Sequence, residues 1–463
     1  MNHYDVIIIG AGPGGIYTAW ELVKRRPELK VAVFESGNPL DKRKCPIDGK
    51  KVKACIKCPT CAIMNGFGDA GAFSDGKYNI TNDFGGTLYE YIGRDEAMSL
   101  MRYVDDINVE NGGEGTALYS TAGTRFKKLC MQNRLTLLEA SVRHLGTDIN
   151  YVVLGNLYEQ LKDKVTLFFN THVDSIEVIG DDAGYRVHYG SEVAECDRCV
   201  VSVGRSGSKW MEKVCDALGI ETKRNRVDLG VRVELPAVIF AHITDELYES
   251  KIVYRTEKYE DHVRTFCMNP RGIVVNENTN GIVTVNGHSF EDEGRKTENT
   301  NFALLVSKNF TKPFKTPIEY GKHVAQLSNM LCDGKIMVQT FGDFLRGRRT
   351  TEERLCRTNL IPTLKDAVPG DLSLVLPYRI MLDIKEMLFA LDKVTPGIAS
   401  DETLLYGVEV KFYSNKVIVD RNFETSVRGL RAMGDGASVT RGLQQASANG
   451  LCVARAILAA QAG

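Results

Sequence analysis

Gly10, Gly12, Gly14 and Gly15 stand between an apolar run at residues 4–9 and a stretch of helical spacing that begins at Ile16. Such a turn binds phosphate. Gly10 allows the tight bend, Gly12 lets the backbone approach a pyrophosphate, and Gly15 lets helix and strand pack closely. The phosphates then meet open N–H groups at a helix N-terminus, where the helix dipole favours anions. Glu35 follows the next apolar run, Val31–Phe34, where a carboxylate can accept hydrogen bonds from an adenosine ribose. The expectation is a dinucleotide site.

A second constellation is Cys45, Cys55, Cys58 and Cys61, spaced Cys-x9-Cys-x2-Cys-x2-Cys. Two-residue gaps let neighbouring thiolates converge on one tetrahedral zinc. Similar gaps hold iron–sulfur clusters, and paired nearby thiols with lowered pKa serve as redox dithiols. These readings stay open beside plain reduced thiols, and convergence of the four on one site is the expectation. Lys42, Arg43, Lys44, Lys50, Lys51, Lys53 and Lys57 make the same loop basic. Such a knuckle can touch nucleic acid phosphates, though a charge run is more often a solvated face.

These groups need a large scaffold, and 463 residues allow two or three domains. Lys+Arg number 58 and Asp+Glu 59, so no global field points to nucleic acid or membrane. No apolar run approaches the roughly 20 residues of a membrane span. The first strand starts too early to leave room for a signal peptide, so the 12 cysteines should be reduced thiols or ligands in a cytoplasmic protein.

Residues 1–40 read as a β-α-β unit, and 41–90 as a cysteine-rich excursion. Apolar residues recur at helical spacing over 135–162, and short strands follow at 165–169, 173–178 and 185–189. The run 199–204 ends in Gly204 before a helix at 209–218, repeating the N-terminal logic. Residues 225–400 change texture, with β-branched runs between turn signals and helices near 321–331 and 380–391. Strands at 417–420 and 430–433, Gly434-Asp435 and a helix over 446–460 close the chain. The fold expected is α/β: a discontinuous dinucleotide domain, 1–224 and 401–463, with an inserted α+β substrate or cap domain at 225–400.

The separated pieces resemble the FAD-binding Rossmann-like fold of glutathione-reductase-type flavoproteins. The resemblance implies that the glycine motif binds the ADP half of FAD and that Gly204 passes the cofactor. It further implies that Val173 touches adenine through its backbone, and that Asp435 lies near the ribityl or pyrophosphate portion. A late Gly-Asp contact favours FAD over NAD at the N-terminal site, and NAD(P)H as electron donor stays open. Cys58-Pro-Thr-Cys61, Gly71-Ala-Phe-Ser-Asp-Gly-Lys77, Gly230-Val-Arg-Val-Glu234, Phe266-Cys267, Asn286-Gly-His-Ser289 and Tyr406-Gly-Val-Glu-Val-Lys411 are similar to signatures of the NAD(FAD)-utilising dehydrogenase-like flavoproteins. The chain departs from that group at Asp69, where a glycine is usual, and at Asn269-Pro-Arg271, where a cysteine and glycine are common.

Ser74 and Asp75 resemble a loop lying against the flavin or its phosphates, and Lys77 near the pyrimidine would stabilise the reduced anion by its charge. The segment 440–445, with Gln444, opens the last helix and should aim amides at the isoalloxazine carbonyl. His288 is a candidate general base, and it and Arg271 are candidates to reach a cleft bounded by residues 74–77, the start of the last helix and the insertion. Cys267 and Lys411 are weaker candidates for substrate chemistry. The function expected is an FAD-dependent oxidoreductase passing a hydride between a small organic substrate and flavin N5. The alternatives are a flavoprotein acting on a nucleic acid base and a non-enzymatic redox sensor.

Overall fold

A computed structural model describes residues 2–46, 51–52, 56, 58–74, 76–180, 184–279, 281–290, 293–311, 313–314 and 316–460. The chain divides into two compact units, the first of residues 1–118, 140–224 and 414–463, the second of 119–139 and 225–413.

In the first unit, Asn2–Ile9 lies at the centre of a mainly parallel sheet, paired with Val31–Phe34 on one side and Glu192–Val201 on the other. Val6, Ile7 and Ile8 are wholly buried. A continuous apolar run suits a parallel strand covered on both faces, and alternation would not. Thr166–Phe168 extends the sheet beyond Val31–Phe34, and Leu430–Ala432 joins it parallel to the end of Glu192–Val201. Gly184–Tyr189 and Ser175–Ile179 add an antiparallel flank. Pro13 opens the helix Pro13–Arg25, its fixed φ suiting the first helical position. The last helix, Leu443–Ala460, packs against this one, and Thr18 Oγ1 donates to the Gly450 carbonyl at 3.1 Å. The small residue permits that approach.

The second unit is built on an eight-stranded sheet in which Val227–Pro236 lies between Leu404–Lys411 and Asn299–Lys308. Residues 401–413 belong here because Leu404–Lys411 pairs with Val227–Pro236 and Met337–Thr340. Residues 119–139 join because Leu135–Leu137 forms an edge strand on Ile252–Arg255. The hairpin Ile273–Thr279/Ile282–His288 and the helices Pro317–Leu331 and Tyr378–Asp392 complete the unit.

The helical spacing over 135–162 holds only in part. Leu135–Leu137 and Ser141–His144 are strands, and the helix is Gly146–Leu161. Both strands have distant partners, Ile252–Arg255 and Lys77–Ile80, so tertiary pairing overrides local periodicity. The expected strand at 417–420 shrinks to Lys416–Val417. Among the described residues no helix is long and apolar enough to cross a membrane.

Candidate functional site

The carboxyl ends of Asn2–Ile9, Val31–Phe34 and Glu192–Val201 open on a cleft within the first unit. Parallel α/β sheets bind their ligands there. Gly10, Gly12, Glu35, Val173, Gly204 and Trp210 are in its lining. Gly10 has φ +105°, and a Cβ there would fall 2.5 Å from the Ser202 carbonyl oxygen. Glycine is required on both counts.

The residues fit a dinucleotide. Helix Pro13–Arg25 starts at Gly12 without a side-chain cap, so its first-turn amides call for an outside acceptor. Glu35 is buried; its Oε2 accepts from the Ala11 N–H at 2.9 Å, and its Oε1 from Gly37 at 2.8 Å and Gly66 at 2.9 Å. A carboxylate offers about four acceptor positions. Oε2 therefore keeps capacity for a ribose hydroxyl while the carboxylate also ties three loops together.

Gly434 (φ +76°) turns the chain directly after Leu430–Ala432. The Asp435 carboxylate lies 3.7 Å from Arg205 Nε. Burial raises its pKa above the usual carboxylate range against the opposing charges of Arg205 and Arg441. The start of the last helix is held by Gln445, which sequence reasoning missed. Its Nε2 donates to the Thr81 and Phe84 carbonyls at 3.0 and 2.9 Å, and its Oε1 accepts from the Leu88 N–H. Gln444 donates to the Met101 carbonyl, and its buried Oε1 has no partner among the described residues. Ser74 closes its own turn, donating to Gly71 O at 2.8 Å and accepting from the Gly76 N–H at 3.3 Å. Asp75 lies outside the described residues. Lys77 begins a strand, paired with His144 in register.

Cys45, Cys58 and Cys61 are free thiols, and Cys55 lies outside the described residues. Among the described residues no group of three or more His, Cys, Asp and Glu side chains could hold a metal. The expected four-cysteine site of Cys45, Cys55, Cys58 and Cys61 includes Cys55 and so lies partly outside the described residues. An arginine organises the described part of this loop. Arg43 is buried and donates to the Ala62, Ile63 and Phe67 carbonyls at 3.0, 2.8 and 2.7 Å. Arg43 thus turns inward, away from the solvated basic face expected of it. Lys50, Lys53 and Lys57 lie outside the described residues.

In the second unit, four motifs distant in sequence meet at Arg232, which is wholly buried. Its Nε and Nη2 each reach Glu409 at 2.9 Å, and its Nη1 reaches Asn301 Oδ1 at 2.8 Å and the Cys267 carbonyl at 3.1 Å. Asn286 Oδ1 accepts from Nη2 at 3.2 Å, and Lys411 Nζ lies 3.0 Å from Glu409. Burial alone would lower the guanidinium pKa, but Glu409 and Cys267 overcome it and hold it above its ordinary value. The signal for this hub was present: the strand Val227–Pro236 puts three charges, Asp228, Arg232 and Glu234, on one face between apolar residues. Arg271 and His288 lie at one end of the adjacent hairpin. Arg271 pairs with Glu293 at 3.2 Å, and exposed His288 packs on Phe290.

Residues 228–412 match a family model described as FAD-dependent protein, C-terminal domain-like, and residues 8–40 match an NAD(P)-binding Rossmann-like domain. The chain is 26% identical to an uncharacterized protein of Clostridium beijerinckii, over 98% of this chain and 80% of that protein. Among solved structures it is similar to glycine oxidase from Geobacillus kaustophilus (13% identity, TM-score 0.41, 99% of this chain and 95% of that one). It is also similar to L-proline dehydrogenase from P. horikoshii (12% identity, TM-score 0.40, 99% and 94%). The domain matches and the cleft make FAD the cofactor and oxidoreduction the class of chemistry.

Proposed function

We propose that the chain passes a hydride between a small organic substrate and flavin N5. One observation carries this reading: Gly10, Gly12, Glu35 and Gly204 meet in a single cleft at the strand ends, which suits the adenosine and pyrophosphate of FAD. FAD supplies the two-electron chemistry, and the protein orients it and tunes its electronics. The first-turn amides after Gly12 hold the phosphates, and Glu35 holds the ribose. Asp435, next to Arg205, is assigned to the ribityl or pyrophosphate portion. Amides opening the helix Leu443–Ala460 and the ammonium of Lys77 stabilise negative charge at the pyrimidine end. The second unit is assigned to substrate recognition, with Arg271 and His288 as the groups to test. The resemblance to the NAD(FAD)-utilising dehydrogenase-like flavoproteins supports the same reading.

The test is the visible spectrum of the purified protein, followed by anaerobic mixing with a panel of small amines, amino acids and hydroxy acids. Flavin absorbance bleached by one of these compounds is the expected result. Protein that is colourless and takes up no FAD would remove the proposal. Once a substrate is found, Arg271→Ala and His288→Ala should retain FAD and slow its reduction. Asp435→Ala should release FAD faster without unfolding.

A further inference from the structure

Asp69 holds a backbone conformation that suits glycine better than any other residue. It has φ +50°, in the left-handed region, and begins the short turn Asp69–Phe73. Its carboxylate lines the dinucleotide cleft. A Cβ placed on Gly12 would lie 3.3 Å from Asp69 Oδ2, and one placed on Gly204 would run into the same oxygen. The two glycines that leave space for a pyrophosphate therefore frame a carboxyl group. Two anions are directed to one place at the start of helix Pro13–Arg25.

Glu35 and Asp435 add negative charge, and Arg43 opposes them while its guanidinium is engaged with three carbonyls. Arg205 lies beside Asp435, and His172 lines the same cleft. Burial, then Glu35, push the Asp69 carboxyl up to about 7, against the Ala70 N–H and Arg43.

Building on the FAD reading, we propose that Asp69 is a cofactor-binding residue that works as the neutral acid, donating a hydrogen bond from its carboxyl group to a pyrophosphate oxygen of FAD. The proton comes from solvent. Where Asp69 is ionised in the free protein, each FAD bound takes up one proton; where it is already neutral, none is taken up. By linkage, the Kd for FAD is flat below the pKa of the free carboxyl and rises about tenfold per pH unit above it. The pyrophosphate is fully ionised throughout this range and adds no slope.

The experiment dilutes the FAD-loaded protein at pH values from about 5.5 to 9 and reads released FAD by its fluorescence. Wild type should show the break near pH 7 and the unit slope above it. Asp69→Asn keeps a neutral donor and should bind tightly with no break. Asp69→Gly relieves the left-handed strain and should also lose the break. A wild-type Kd that stays constant to pH 9 overturns the proposal and leaves the FAD reading intact. A slope that survives in both variants also overturns it. Protein that binds no FAD at any pH, in wild type and Asp69→Gly alike, overturns both.

Discussion

Glu409→Gln should be among the most damaging substitutions in the second unit, although it removes only one charge. Arg232 is wholly buried and makes two hydrogen bonds of 2.9 Å to that carboxylate, and Lys411 leans on the same group at 3.0 Å. Glutamine keeps the shape but leaves two cations without an anion in a region from which water is excluded. Breaking one side of a buried pair costs about 3–5 kcal/mol. For a unit of this size each kcal/mol moves Tm by about 2–4 °C, so a fall on the order of 10 °C is expected. The remaining acceptors, Asn301 Oδ1, Asn286 Oδ1 and the Cys267 carbonyl, are neutral and do not replace the lost charge. Calorimetry with urea melts is the assay, with flavin absorbance followed in parallel, since the FAD-binding residues lie in the first unit. Arg232→Met combined with Glu409→Leu removes both charges and should recover a large part of the loss, because a well-packed apolar pair often replaces a buried ion pair at little cost. A Glu409→Gln protein within about 1 kcal/mol of wild type would refute the claim that this carboxylate neutralises the hub.

Gly12→Val places a side chain against Asp69 where the pyrophosphate must lie, so visible flavin absorbance should vanish while circular dichroism holds. Asp383, buried beside Asp261 and Lys308, has its carboxyl pushed up to about 6 by burial and by Asp261. A raised carboxyl contributes stability that is complete below its unfolded pKa and is lost as pH rises through about 6. Asp383→Asn should therefore flatten the stability profile between about pH 4 and 6, a change of up to about 3 kcal/mol in urea melts; an unaltered profile would exclude the assignment. Chelator treatment followed by metal analysis, FAD content and Tm tests the four cysteines as ligands. Loss of metal together with a fall in Tm is expected if Cys45, Cys55, Cys58 and Cys61 share a metal, and no change in any of the three would leave them plain thiols. Arg43→Met should open residues 61–67 to proteolysis, since three carbonyls lose their donor.

What the sequence alone determined was whatever a few neighbouring residues dictate. The turn after Ile9 needs glycine because of its own φ and because strand and helix cross there. The run Val6–Ile8 reads as a buried strand because it is apolar without interruption. Glu35 and Gly434-Asp435 are legible because strand ends at fixed offsets from such turns are where ligands sit. Tertiary structure decided the rest. Leu135–Leu137 is a strand only because Ile252–Arg255 lies beside it, and helical spacing in the same residues gave no sign of that. Arg232 becomes a hub through partners at Cys267, Asn286, Asn301 and Glu409, each carried in by a different strand. Asp69 is an odd residue in a loop until the fold sets it against Gly12 and Gly204. Charges act through space with a strength set by burial, and neither separation nor burial can be read from order along the chain.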